Sequence, residues 1–283
     1  MILPEKLFQD TLNELEEKKK RSFVISESLP ILFFGDLPAF SKQQKKIITV
    51  GLNPSNIEFQ QNALAPYSFF RFPDYEKSTT SLEKALSNYF KNQPYKKWFS
   101  TGYEPLLNGM HASYYPEGAR DKVLHTDICS PLATQPTWSK LSPKAQQSLC
   151  KKGFVLWQQL IKSIQPNLII LSTRKSYLDQ LNPSFIETLY EIKQTKSGAP
   201  RNVVAGGPSH FHGATGAVAV DLRDPPGRAR PCGYGAGPAP WVAGVGERSS
   251  PLGGPESRRR EPADLCVLST PFQERPQRSV HHV

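Results

Sequence analysis

Apolar residues along the chain alternate between helical spacing and short unbroken runs. Leu7, Phe8, Thr11, Leu12 and Leu15 recur at intervals of three and four, which predicts a helix over residues 4–20. Ile31 to Phe34 reads as a short strand. Ile47-Ile48-Thr49-Val50-Gly51 reads as a buried strand that ends in the turn residues Gly-Leu-Asn-Pro-Ser. An aromatic-rich irregular stretch follows, with Phe59, Tyr67, Phe69, Phe70, Phe72 and Tyr75. Leu82, Ala85, Leu86, Tyr89 and Phe90 mark a helix, and residues 98–107 mark another.

Val123 to Cys129 forms the second strong strand, followed by loop chemistry in Ser-Pro-Leu-Ala-Thr-Gln-Pro-Thr-Trp. Ser142 then stands as an N-cap with Pro143 at the first helical position. From Ala145 to Ile164 the apolar positions fall on one helical face, and Pro166 closes the helix. Leu168 to Leu171 is a third strand, apolar throughout, as strands covered on both faces are. A further helix is expected near residues 174–181.

Strands separated by helical stretches imply right-handed crossovers and a parallel sheet. The expected fold is therefore α/β, a three-layer α/β/α sandwich on a short central parallel sheet. Ligands of such sheets bind beyond the carboxyl ends of the strands. Two strands end in suggestive loops there, at Asn53 and at Asp127.

Composition divides the chain in two. Residues 1–196 hold 21 lysines and 4 arginines, whereas residues 197–283 hold 10 arginines and no lysine. All 13 isoleucines precede the break, and 13 of the 19 glycines follow it. Lys and Ile use AT-rich codons, while Gly, Ala, Pro and Arg use GC-rich ones, so a frameshift or fusion at this point accounts for the change. The domain is assigned to residues 1–196, with an extension to about 210 left open by the strand-like Asn202-Val203-Val204-Ala205. Residues 197–283 are expected to be a disordered Gly/Pro/Arg-rich tail.

The formal charge of +10 favours an acidic partner such as DNA, met through a basic face. Four scattered cysteines without a C-x-x-C pair argue against an iron–sulfur or structural zinc site and suit a reducing cytoplasm. No apolar run reaches membrane-spanning length, and the N-terminal stretch is amphipathic, unlike a secretory signal. A cytoplasmic monomer without metal or cofactor is expected.

Gly51-Leu52-Asn53-Pro54-Ser55 is on its face an ordinary turn. A short rigid loop of this kind also holds an uncharged Asn amide where it can orient a water against an electrophilic carbon. Taken with His125-Thr126-Asp127-Ile128-Cys129-Ser130-Pro131-Leu132 at the end of the second strand, the pattern resembles the uracil-DNA glycosylase superfamily, nearest to its mismatch-specific and single-strand-selective branches. Their first motif has the form Gly-x-Asn-Pro-Gly. The resemblance implies that Asn53 positions the attacking water and that Gly51, Leu52, Pro54 and Ser55 line the base site, with Ser55 in place of the second Gly.

By the same resemblance, Asp127 takes the position that reads the edge of a flipped pyrimidine, often Asn in the family. A carboxylate accepts hydrogen bonds and donates none unless protonated, so an ionised Asp127 suits an exocyclic amino group better than uracil O4. A turn or capping role is the ordinary alternative for Asp127. The resemblance also implies that an aromatic of the loop after the first motif stacks on the extruded base. Phe72 is the candidate for that role, although core packing is the ordinary role of such phenylalanines. The second motif, similar to His-Pro-Ser-Pro, is expected some 30 residues after Leu171. Pro208, Ser209 and His210 are its weak counterparts, with Gly207 in the His position.

The resemblance implies a monofunctional DNA glycosylase that flips a damaged or mismatched base and hydrolyses its N-glycosidic bond. Two alternatives stand beside it: a non-catalytic nucleic-acid or nucleotide-binding domain of the same fold, and a glycosylase inactivated by loss of its C-terminal half-site.

Overall fold

The computed structural model describes residues 3–117, 121–173 and 177, together with the backbone of three strands at 186–192, 201–206 and 217–223. The chain opens with α1 (Glu5–Lys18), whose buried Leu7, Phe8, Thr11 and Leu15 are the residues that predict it. A short α2 (Leu37–Lys42) starts at Asp36, whose carboxylate accepts from the Ala39 amide at 3.0 Å. Strand β1 (Ile47–Gly51) follows, then a 3-10 turn at Asn56–Phe59 and α3 (Thr79–Ser87).

The helix expected over 98–107 is two helices, α4 (Lys96–Gly102) and α5 (Glu104–Gly109). Pro105, in the first turn of α5, has no amide to continue the preceding ladder, so a new helix begins there. A two-residue parallel pair, β2 (Ala112–Ser113) and β3 (Asp121–Lys122), leads into β4 (Leu124–Asp127). Helix α6 (Pro143–Ile164) is capped by the Ser142 hydroxyl, which accepts from the Ala145 amide at 3.2 Å. It ends at Gln165 in the left-handed conformation, just before Pro166.

With β5 at Leu168–Thr173, β6 at Ile186–Ile192, β7 at Arg201–Gly206 and β8 at Ala217–Arg223, the main sheet has the strand order β4-β1-β5-β8-β7-β6. Strands β4 and β5 (Leu168–Thr173) run parallel to β1 on its two sides. The expected parallel α/β core is thus present, with β1 between its two parallel neighbours. Ile31–Phe34, expected as a strand, is a buried extended segment joined to β4 only by a bridge between Phe34 and His125. Its apolar residues bury in the core without forming a ladder, a difference that an apolar run alone does not encode.

Beyond β5, the sheet contains β6 (Ile186–Ile192), β7 (Arg201–Gly206) and β8 (Ala217–Arg223). Strand β8 pairs parallel to β5, and β7 lies antiparallel between β8 and β6. The strand-like Asn202–Ala205 is therefore a strand. The sheet also crosses the compositional boundary drawn at Lys196, because β7 and β8 both lie past it. The helix expected near 174–181 falls largely outside the described residues.

Helix α6 clamps the end of β4. Gly153 faces the loop after that strand so closely that a Cβ there would lie 2.2 Å from the Cys129 carbonyl oxygen and 2.7 Å from Ser130 Cα. One turn on, the Trp157 indole donates to Thr126 Oγ1 at 3.0 Å.

Glu14 of α1 is buried, and its Oε1 has no hydrogen-bond partner among the described residues. Burial raises its pKa from 4.5 to about 7, against the pull of Lys18 and Lys152 and with a push from Glu17. The folded state thus binds more protons here than the unfolded state between those two values. Stability from this site is full below pH 4.5 and is lost as pH rises toward 7. Thermal unfolding of the wild type and Glu14→Gln across that range should show the wild type losing ground steadily. Parallel curves would contradict this.

Candidate functional site

The parallel register sets Gly51 opposite Asp127, so the loops leaving β1 and β4 emerge side by side at the carboxyl end of the sheet. Backbone bonds then tie them. The Ile128 amide donates to the Gly51 carbonyl at 3.1 Å, and the Cys129 amide donates to the Leu52 carbonyl at 2.9 Å. Pro54 is buried, and Ser55 bridges to Thr134 while its hydroxyl accepts from the Ile57 amide at the head of the 3-10 turn.

Asn53 spans the same two loops. Its Nδ2 donates to the Leu132 carbonyl at 3.2 Å and to Thr134 Oγ1 at 3.0 Å. A carbonyl only accepts, so this contact fixes which end of the amide is the nitrogen. Both donor hydrogens are committed to the scaffold, and Oδ1 is left as the atom available to a ligand. A water held there would be oriented through its own O–H, a role an amide oxygen fills without titrating.

Asp127 ends β4 with only 4 % of its side chain exposed. No hydrogen bond reaches its carboxyl group from the described residues. His125 Nε2 lies 3.8 Å from Oδ1, too far for a hydrogen bond. The imidazole is itself buried, with its pKa driven down to about 3, and its Nδ1 is hydrogen-bonded to Thr49 Oγ1 at 2.8 Å. No cation among the described residues therefore faces Asp127. Burial, reinforced by the Glu58 carboxylate, pushes its pKa well above the usual range. Burial thus favours the neutral form of the Asp127 carboxyl group relative to an exposed aspartate. The acceptor-only behaviour that would set it against uracil O4 belongs to the ionised form, the form that burial disfavours here.

Gly51 makes that placement possible. A Cβ at position 51 would sit 2.5 Å from Asp127 Oδ1 and 3.2 Å from His125 Nε2. Gly51→Ala should push the carboxyl group out of place. It should weaken any ligand that Asp127 holds by about tenfold or more, the scale of one misplaced hydrogen-bonding group. Titration of the variant with that ligand, at an unchanged circular dichroism spectrum, checks this.

Glu58 is a residue that sequence reasoning missed. It lies on the 3-10 turn five positions after Asn53 and is buried. Tyr89 donates its phenol hydrogen to Glu58 Oε2 at 2.5 Å, and Arg71 Nε stands 3.8 Å from the same oxygen. Arg71 Nε has no hydrogen-bond partner among the described residues, while Nη1 donates to the Gln93 carbonyl. Burial lifts Glu58 to a pKa of about 7 even though Tyr89 and Arg71 act the other way. Nothing in the local sequence marks Glu58 as different from a solvated glutamate.

Phe72 is corrected by its surroundings. It is fully buried, stacked on Phe59 at 5.4 Å and on Phe34 at 6.5 Å, with Tyr89 at 5.5 Å. Its ring is part of the core and has no face open to a base. Phe69 and Phe70 of the same loop are partly exposed.

No family model, curated protein or solved structure matches this chain. Pro208, Ser209 and His210 lie outside the described residues. Among the described residues no group of three His, Cys, Asp or Glu side chains is placed to hold a metal ion, and no helix is long and apolar enough to cross a membrane.

Proposed function

We propose that the chain is a DNA base-excision glycosylase of the uracil-DNA glycosylase type, built as an α/β/α sandwich, that hydrolyses the N-glycosidic bond of a flipped damaged or mismatched base. One observation carries this reading. Asn53, tethered by its nitrogen with Oδ1 left over, stands two residues past the strand position that faces Asp127. A water-orienting oxygen and a base-reading acid thus leave neighbouring parallel strands at the sheet's carboxyl end.

In the reaction, water oxygen bonds to the sugar C1′ as the C1′–N bond breaks, and the electron pair departs with the base. The water gives up a proton to solvent or to the departing base. Asn53 Oδ1 accepts from the water and fixes its approach. Asp127 meets the edge of the base, and flipping would draw stacking energy from a partly exposed aromatic such as Phe69 or Phe70 in place of Phe72.

Incubating the full chain with duplexes holding uracil, hypoxanthine or a thymine mismatch should leave abasic sites with at least one of them. Salt-dependent binding with every base retained would favour the non-catalytic binding domain instead.

A further inference from the structure

Strands β1 and β4 bring four residues to one face of the sheet. The parallel register sets Thr49 opposite His125 and Gly51 opposite Asp127, and positions two apart on a strand share a face. Gly51 lacks a side chain, and both polar residues of β4 border the space this leaves. A Cβ there would lie 2.5 Å from Asp127 Oδ1 and 3.2 Å from His125 Nε2. Those two atoms are 3.8 Å apart and not bonded to each other, so each is free to meet a different atom of one ligand. Gly51, Leu52 and Asn53 are only half-buried, so the strand end next to the pair is not sealed. We infer that His125 is a base-reading residue and works with Asp127 as a donor–acceptor pair. His125 Nε2–H donates to a ring carbonyl, and the Asp127 carboxyl group accepts from the N–H beside it. The identity of the ligand rests on the glycosylase reading.

The direction of the donor follows from counting hydrogens. Thr49 Oγ1 lies 2.8 Å from His125 Nδ1 and 2.5 Å from the Tyr114 hydroxyl. Each hydroxyl has one hydrogen to give. With the imidazole proton on Nδ1, one of these two hydroxyl hydrogens is left without an acceptor among the described residues. With Tyr114 donating to Thr49 and Thr49 donating to Nδ1, both are used, and the neutral ring carries its proton on Nε2. Aromatic rings hold the imidazole in place: Phe99 meets it edge-on at 5.2 Å, with Tyr103 at 5.9 Å and Phe34 at 6.0 Å. Thr49 is thus a positioning residue for His125.

The chemical consequence is selectivity. Uracil, thymine and hypoxanthine all present a carbonyl beside a ring N–H, the edge that matches this pair. Cytosine and adenine present an amino group beside an unprotonated ring nitrogen, so donor would face donor and acceptor would face acceptor. Asp127 offers an acceptor oxygen with or without a proton, so the assignment does not depend on its charge.

NMR on the full chain tests this, with free bases as probes. Long-range 1H–15N spectra should show Nε2 as the protonated nitrogen of His125, and Thr49→Val should raise the Nδ1–H fraction. Uracil should shift the Nε2–H signal, whereas cytosine and N3-methyluracil, which lack the matching edge, should bind at least about tenfold more weakly. His125→Phe should weaken uracil binding by a similar factor and raise KM for a uracil duplex more than it lowers kcat. His125→Gln, which keeps a side-chain N–H, should recover part of the loss. A wild-type proton on Nδ1, no response to uracil up to its solubility limit, or equal binding of uracil and cytosine overturns the pair, even where a variant fails to fold. If uracil shifts the imidazole signal and no duplex ever loses a base, the pair stands and the glycosylase reading falls. If duplexes lose uracil through Asn53 while His125→Phe matches the wild type, the reading stands and the pair falls.

Discussion

Asn53→Ala should lower the rate of base release about 10²–10³-fold, the usual cost of removing one preorganised polar group from a reacting centre. The size of the effect follows from how Asn53 is held. Its nitrogen is tied to the Leu132 carbonyl and Thr134 Oγ1, so Oδ1 is placed before substrate arrives and needs no reorganisation. Alanine removes the acceptor and leaves the Leu132 carbonyl without this donor. Some loss of stability, about 1 kcal/mol, should accompany the kinetic loss. The two are separable, because Thr134→Val would share the structural defect at one contact while sparing Oδ1. Single-turnover rates of the two variants should differ by more than about tenfold, well inside the expected loss. Equal rates would mean that Asn53 acts only as a tether.

The second large effect is on stability. Gly153→Ala should destabilise the fold by about 1–3 kcal/mol, the range for overpacking a filled interior. The added methyl would meet backbone at Cys129 and Ser130, which cannot swing aside as the tip of a side chain can. Alanine is the better helix former by about 1 kcal/mol, and that gain acts against the clash without cancelling it. Two other glycines serve as controls. At Gly102 and Gly109, at the ends of α4 and α5, a Cβ would meet nothing within 4 Å. Alanine at those two positions should be neutral or mildly stabilising. Thermal melts of the three variants should place Gly153→Ala well below the wild type and the others at or above it. Because Cys129 begins the loop that holds Leu132 and Thr134, the same variant should also disturb Asn53.

How much of the fold is legible in the sequence depends on whether the signal is local. Helix α6 is readable end to end, because Ser142 and Pro143 start it, one apolar stripe runs through it, and Pro166 follows it. Strands β1, β4 and β5 are readable as apolar runs, and their parallel order follows from the helices between them. Ile31–Phe34 has the same apolar character and is buried without a ladder, a distinction made by neighbours distant in sequence. Strand β8 escapes a sequence reading because Ala217–Arg223 is embedded in Gly- and Pro-rich chain, where composition outweighs a short alternating run.

The site divides in the same way. Asn53 and Asp127 stand out because a turn and a strand end carry their own signatures. Phe72 is misplaced by sequence because nothing local separates a core phenylalanine from one that stacks on a ligand. Glu58 is invisible there, since what sets it apart is burial against Tyr89 and Arg71, contacts made by residues distant in sequence. The upward push on the Asp127 pKa is likewise unreadable, as it comes first from burial and then from the Glu58 carboxylate.

The most direct test of the central claim is the identity of what leaves the DNA. Full-length protein should be incubated with a duplex carrying one uracil and the products separated by chromatography and mass. Hydrolysis of the N-glycosidic bond predicts free uracil and an unbroken strand with one abasic site, both strongly reduced with Asn53→Ala. A bound but intact oligonucleotide, for this base and for hypoxanthine and mismatched thymine alike, would contradict it.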